Sequence, residues 1–91
     1  MAELAIFKIQ LRPSAERELG KLPKNVVAEV ARLVDEFRDN PYPRNSEKLS
    51  GGENLYRARV GDYRIVYQVD VKNRLIVVFR VRHRKDVYRK F

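Results

Sequence analysis

Residues 56–82 read YRARVGDYRIVYQVDVKNRLIVVFRVR, and this stretch decides the fold. Tyr56 to Val60, Tyr63 to Asp70 and Leu75 to Arg82 are β-branched or aromatic runs, broken by Gly61-Asp62 and by Val71 to Arg74. That is the pattern of strands joined by tight turns. Connections this short force neighbours to run antiparallel, so a three-stranded meander is expected. Successive side chains point to opposite faces. Arg57 and Arg59 therefore share a face opposite Tyr56, Ala58 and Val60, while Arg64, Val66 and Gln68 oppose Tyr63, Ile65, Tyr67 and Val69. In the last strand Arg80 and Arg82, joined by Arg84 if the strand stays extended, oppose Phe79, Val81 and His83. Antiparallel pairing is expected to gather Arg57, Arg59, Arg64, Arg82 and Arg84 into one concavity open to solvent.

Upstream, Ala5 to Leu11 alternate with Ala5, Phe7, Ile9 and Leu11 on one side, which predicts a half-buried strand. Pro13 ends it. Ser14 is placed to cap a short helix through Leu22, with Glu16 and Glu18 near its positive end and Gly20 keeping it brief. Pro23 suits a first helical position, and Val27, Val30, Ala31, Val34 and Phe37 keep amphipathic spacing until Asn40-Pro41. The segment Pro41 to Asn54, rich in Pro, Gly, Ser and Asn, reads as a loop. The expected class is α+β: an N-terminal strand, a helical hairpin and the meander, with the hairpin packed on one face of a mainly antiparallel sheet. Residues 1–91 are enough for one domain and one small core.

Composition narrows the function. Hydrophobic residues make up 44% and charged residues 35%, a balance suited to a folded domain with a highly charged surface. Cysteine is absent, which excludes disulfides, thiolate nucleophiles and cysteine-ligated zinc. The N-terminal run is short and interrupted by charge, so neither a secretory signal nor a membrane span is expected, and the cytoplasm is the expected location. Residues 1–55 carry 9 basic and 9 acidic side chains, whereas residues 56–91 carry 11 and 3, so the net +8 belongs entirely to the second part. Segregated charge of this kind is the footprint of a polyanion site. A solvated sheet face needs polar residues in any case, and arginine is a common choice. Yet this face is expected to lack the acids that usually balance such a surface, and adjacent like charges cost stability. A multiply anionic ligand (RNA, DNA or an acidic protein segment) would offset that cost.

Usual catalytic equipment is missing from the sequence: no carboxylate pair on the basic face, no metal-ligand spacing, no Walker loop, and a Gly51-Gly52 too common to mean a phosphate cradle. RNA, however, carries its own nucleophile. A 2'-hydroxyl next to the scissile phosphate needs alignment, partial deprotonation and cations for the developing charge. Arginine supplies the last without a metal, because its guanidinium forks onto phosphate oxygens and stays protonated. Proton transfer would fall to Tyr88 or to His83 in the tail His83-Arg84-Lys85-Asp86-Val87-Tyr88. Neighbouring cations lower a tyrosine pKa, whereas His83 needs less tuning but is aimed away from the arginines by parity.

The run from Lys48 to Arg89 resembles the core of the RelE/ParE toxin superfamily. Its motifs are G-x-x-x-x-Y-R-x-R-V-G-D-Y-R-I-V-Y and the terminal H-R-K-D-V-Y, which together resemble the RelE branch. The resemblance implies a microbial-ribonuclease-like single domain and a ribosome-dependent, metal-independent endonuclease that cuts messenger RNA in the decoding site. Position by position it implies Arg57 and Arg59 as the basic pair, Arg64 at the transition state and Tyr88 as the tail tyrosine. The second catalytic arginine falls on Arg84 or Arg82, with Arg84 favoured by its place in the His-Arg-x-x-x-Tyr segment. Arg80, Arg82, Lys85 and Arg89 join Arg57 and Arg59 as expected RNA contacts, and no cofactor is implied. The implied partners are a RelB-like antitoxin, in a toxin–antitoxin hetero-oligomer, and the ribosome with its message. A ParE-like DNA gyrase inhibitor without nuclease chemistry is the alternative, and a nonspecific RNA-binding module a third reading.

Overall fold

A computed structural model describes residues 6–87. The elements in order are β1 (Lys8–Leu11), α1 (Pro13–Leu19), α2 (Lys24–Phe37), β2 (Ser46–Lys48), β3 (Leu55–Val60), β4 (Tyr63–Asp70), β5 (Leu75–His83) and α3 (Arg84–Val87). They form one five-stranded sheet in the order β1-β5-β4-β3-β2. The meander β3-β4-β5 is antiparallel as expected, and β1 lies parallel to β5 through Lys8↔Leu75 to Leu11↔Val78. Position 5 lies outside the described residues, and Phe7 precedes the ladder, its N–H donating to the Arg38 carbonyl at 3.0 Å.

Three local expectations are corrected. The loop Pro41–Asn54 contains β2, which pairs antiparallel with β3 through Ser46↔Ala58, Glu47↔Arg57 and Lys48↔Tyr56. An edge strand of three polar residues has no apolar alternation to reveal it. Ser14 does not cap α1. The helix begins at Pro13 with Arg12 at the N-cap and no side-chain cap bond, while Ser14 Oγ donates to the Phe79 carbonyl at 2.7 Å. Finally, α1 stops at Leu19, and Pro23 occupies the N-cap of α2 rather than its first turn.

The core lies between the helices and one face of the sheet. It joins Ala15, Val30, Leu33 and Phe37 to Ala58, Ile65, Tyr67, Val69, Ile76, Val78 and Val81. Of the expected α2 stripe, Val30 and Phe37 are buried together with Leu33, whereas Val27, Ala31 and Val34 line a shallow apolar groove with Leu11 and Leu19. Phe37 stacks on Tyr67 with centroids 4.2 Å apart, and the Tyr67 hydroxyl donates to the Pro41 carbonyl at 2.7 Å. Burial pushes the Tyr67 phenol up to about 12.

Candidate nucleic-acid interface

Strand register builds the site. Residues paired across neighbouring strands share a face, so Arg59↔Arg64↔Arg82 makes one row of three arginines across β3, β4 and β5. The next row is Glu47↔Arg57↔Val66↔Arg80. A bulge decides which way β5 presents its charges. Tyr67 pairs with Val78 and Val66 with Arg80, so Phe79 has no partner in the ladder. Without that extra residue, Arg80 and Arg82 would keep the phase of Ile76 and Val78 and enter the core. With it, Val81 is buried and the two arginines turn to the face of Arg57 and Arg64.

A cleft of about 320 Å³ opens on this face, lined by Arg44, Asn45, Ser46, Glu47, Arg57, Arg59 and Arg64. Its wall is pinned where Asn45 Nδ2 donates to the Arg59 carbonyl at 2.6 Å and the Arg59 N–H returns a bond to the Asn45 carbonyl at 3.1 Å. Arg57 pairs with Glu47 across the β2–β3 ladder, and that guanidinium holds the Glu47 carboxyl below the usual carboxylate range. Arg64 Nη1 donates to the Tyr63 carbonyl at 3.2 Å, which leans its head toward the β3–β4 turn. Arg59 is exposed and has no side-chain ion pair among the described residues. Val66 is buried between Arg57 and Arg80 but does not join the helix-side core, giving the arginine stems an apolar floor.

At the other end of the face, Nε of Arg80 and Nε of Arg82 each lie 3.3 Å from Glu18 Oε2. The expectation of a face free of acids is therefore corrected: Glu18 and Glu47 both stand among its arginines. Glu47 arrives on the unforeseen strand β2, and Glu18 comes from a helix 63 residues away in sequence, so local pattern signals neither. Arg44, which also lines the cleft, lies in the same polar segment and carries no periodic signal of its own.

His83 remains in β5, pairs with Tyr63 and meets that ring edge-on at 5.4 Å, away from the arginine cleft as its parity implies. Its Nδ1 accepts the Lys85 N–H at 3.2 Å. Arg84 does not continue the strand. It opens α3, where its N–H donates to the Asp62 carbonyl at 2.8 Å, so Arg82 is the last arginine that β5 itself places on this face. Arg84 and Lys85 are both exposed. Tyr88 and Arg89 lie outside the described residues. Among the described residues, no helix is long and apolar enough to cross a membrane, and no group of three His, Asp or Glu side chains could hold a metal ion.

Comparison with known proteins places this arrangement. A family model for the ParE toxin of type II toxin–antitoxin systems matches residues 9–88. Toxin RelG of Mycobacterium tuberculosis is 34% identical, with 92% of this chain and 98% of that protein covered. The RelE–RelB complex of Pyrococcus horikoshii contains a chain that superposes with a TM-score of 0.80 at 29% identity, covering 89% of this chain and 98% of that one. The isolated Escherichia coli RelE toxin gives 0.74 at 26% identity, covering 91% and 90%. The sheet order, the bulged last strand and the basic face thus belong to a chain that is a member of the RelE/ParE superfamily of type II toxin–antitoxin toxins.

Proposed function

We propose that the protein is a ribosome-dependent endonuclease that inhibits translation by cutting messenger RNA in the decoding site. The row Arg59–Arg64–Arg82 carries this reading, with Arg57 and Arg80 in the row beside it. Three cations in register across adjacent strands suit a phosphodiester whose charge rises on the way to a pentavalent transition state. Attack by the message's own 2'-hydroxyl supplies the nucleophile and leaves a cyclic phosphate, so the protein needs to align and stabilise rather than to activate water. Arg64 and Arg82 are the pair next to the phosphate in this scheme, because Arg84 has left the sheet. Arg57 and Arg59 hold the flanking backbone, and Tyr88 acts in proton transfer. His83 packs its ring on Tyr63 outside the arginine cleft, in a hollow it shares with Glu18 and Arg82, and is the second candidate for the proton. The work is done in the cytoplasm on the ribosome.

The relatives solved as RelE–RelB complexes support an antitoxin partner of the same kind. The apolar groove of Leu11, Leu19, Val27, Val30, Ala31 and Val34 offers that partner a helix-binding seat, and the basic cleft offers a cationic seat for its acidic side chains. Primer extension on programmed ribosomes is expected to show codon-phased cuts, and intact messages would sink the reading. The family model's ParE description favours a second reading, inhibition of DNA gyrase by binding alone. That reading predicts supercoiling arrest and indifference to Tyr88→Phe, whereas the endonuclease loses most of its cleavage with the hydroxyl.

A further inference from the structure

Glu18 reaches β5 where that strand has lost its neighbour. The β1 ladder ends at Leu11↔Val78, and α1 then takes over the exposed edge. Arg12 N–H donates to the Val78 carbonyl at 2.9 Å, Ser14 Oγ to the Phe79 carbonyl at 2.7 Å, and Glu18 Oε1 accepts the Val81 N–H at 2.8 Å. The second oxygen, Oε2, sits 3.3 Å from Nε of both Arg80 and Arg82. Nε of Arg80 is buried without a hydrogen bond, so the carboxylate is the compensating charge beside it. The Glu18 side chain is only 21% exposed.

The two oxygens do separable work. Closing the strand edge needs only an acceptor, which an amide oxygen would provide as well. Facing two guanidinium groups needs a negative charge. An ion pair at 3.3 Å holds each guanidinium beside the carboxylate, so Glu18 restricts where Arg80 and Arg82 can carry their charged heads.

We infer that Glu18 is a positioning residue for RNA cleavage, its Oε2 orienting Arg80 and Arg82 so that Arg82 meets the phosphate beside Arg64; this rests on the endonuclease reading above. Glu18 touches no RNA and acts through two residues that do. It also places a negative charge on a face meant for a polyanion, which weakens raw affinity in exchange for orientation.

Glu18→Gln separates the roles, because glutamine keeps the acceptor for Val81 and loses the charge. The melting temperature is expected to fall by only a few degrees, because the Val81 bond is kept and both arginine side chains stay about 30% exposed. In cleavage on programmed ribosomes kcat is expected to fall by about 10- to 100-fold while KM stays level or drops. Binding to a fluorescent RNA oligonucleotide is expected to gain salt dependence, the slope steepening by about 0.7 for each phosphate contact added. The arginine Nε resonances of Arg80 and Arg82 are expected to move toward the position of solvated arginine. In an Arg82→Ala background Glu18→Gln should cost little further kcat, since its effect passes through that arginine. Parent-like kcat, an equal loss in both backgrounds, or a collapse of the melting temperature would overturn the proposal. If the parent protein itself makes no cuts, the endonuclease reading fails instead, and the Nε resonances and salt slope alone then decide whether Glu18 holds the arginines.

Discussion

The meander β3-β4-β5 presents two faces made from the same residues in alternation, and they obey opposite rules. On the helix side Ala58, Ile65, Tyr67, Val69, Ile76, Val78 and Val81 are at most 1% exposed. On the other side Arg57, Arg64, Arg80 and Arg82 are half-buried and Arg59 is exposed. The first face tolerates only shape and apolarity. The second sets arginine directly opposite arginine, an arrangement that lowers stability unless an anion fills it. Apolar packing and concentrated positive charge are thus divided between the two sides of one sheet, a single residue apart along each strand.

That division can be broken first on the helix side. Phe37 is fully buried and stacked on Tyr67 at the centre of the core, so Phe37→Ala should lose about 3–5 kcal/mol in chemical denaturation. Inactivity of that variant would follow from unfolding. On the basic side, Arg64→Ala should leave the denaturation midpoint unchanged or slightly raised, because a like-charge pair disappears, yet cleavage should fall by about 10²- to 10³-fold. A large stability loss there would mean that the faces are not independent.

Smaller effects sharpen the boundary. Tyr67→Phe removes the bond to Pro41 and should cost about 1 kcal/mol at neutral pH. Its alkaline behaviour is a second readout. The folded phenol keeps its proton until about 12, while the unfolded one releases it near the ordinary value of 10. Stability from this group is therefore complete below pH 10 and drains away as pH rises toward 12, a limb that Tyr67→Phe should flatten. Smallest of all, Glu47→Gln should barely move the midpoint, since the pair with Arg57 is solvent-exposed. The depressed Glu47 carboxyl adds stability only where it is ionised, so the parent alone should lose that increment as pH falls below the usual carboxylate range.

Much of this architecture is legible in the sequence, for identifiable reasons. Period-two alternation and turns as short as Gly61-Asp62 dictate the meander, and parity within each strand is enough to put Arg57, Arg59 and Arg64 on one face. What escapes is whatever depends on distant partners. Phe79 looks like an ordinary strand residue, and only pairing with β4 reveals it as the bulge that rescues Arg80 and Arg82 from the core. Ser14 and Glu18 look like helix-terminal residues, and only the edge of β5, 65 and 63 residues on, gives them their partners. β2 escapes because three polar residues acquire strand geometry solely from β3. Arg84 drops off the strand for a local reason: the chain turns into α3 right after His83, so Arg82 is the last arginine β5 sets on the basic face.

The most direct test is primer extension of a message on programmed ribosomes, run with the parent protein and with Arg64→Ala at matched concentration and verified folding. Codon-phased cuts from the parent and their near-disappearance in Arg64→Ala are the predicted result. Undiminished cuts from the folded variant would contradict the assignment of the arginine row to catalysis.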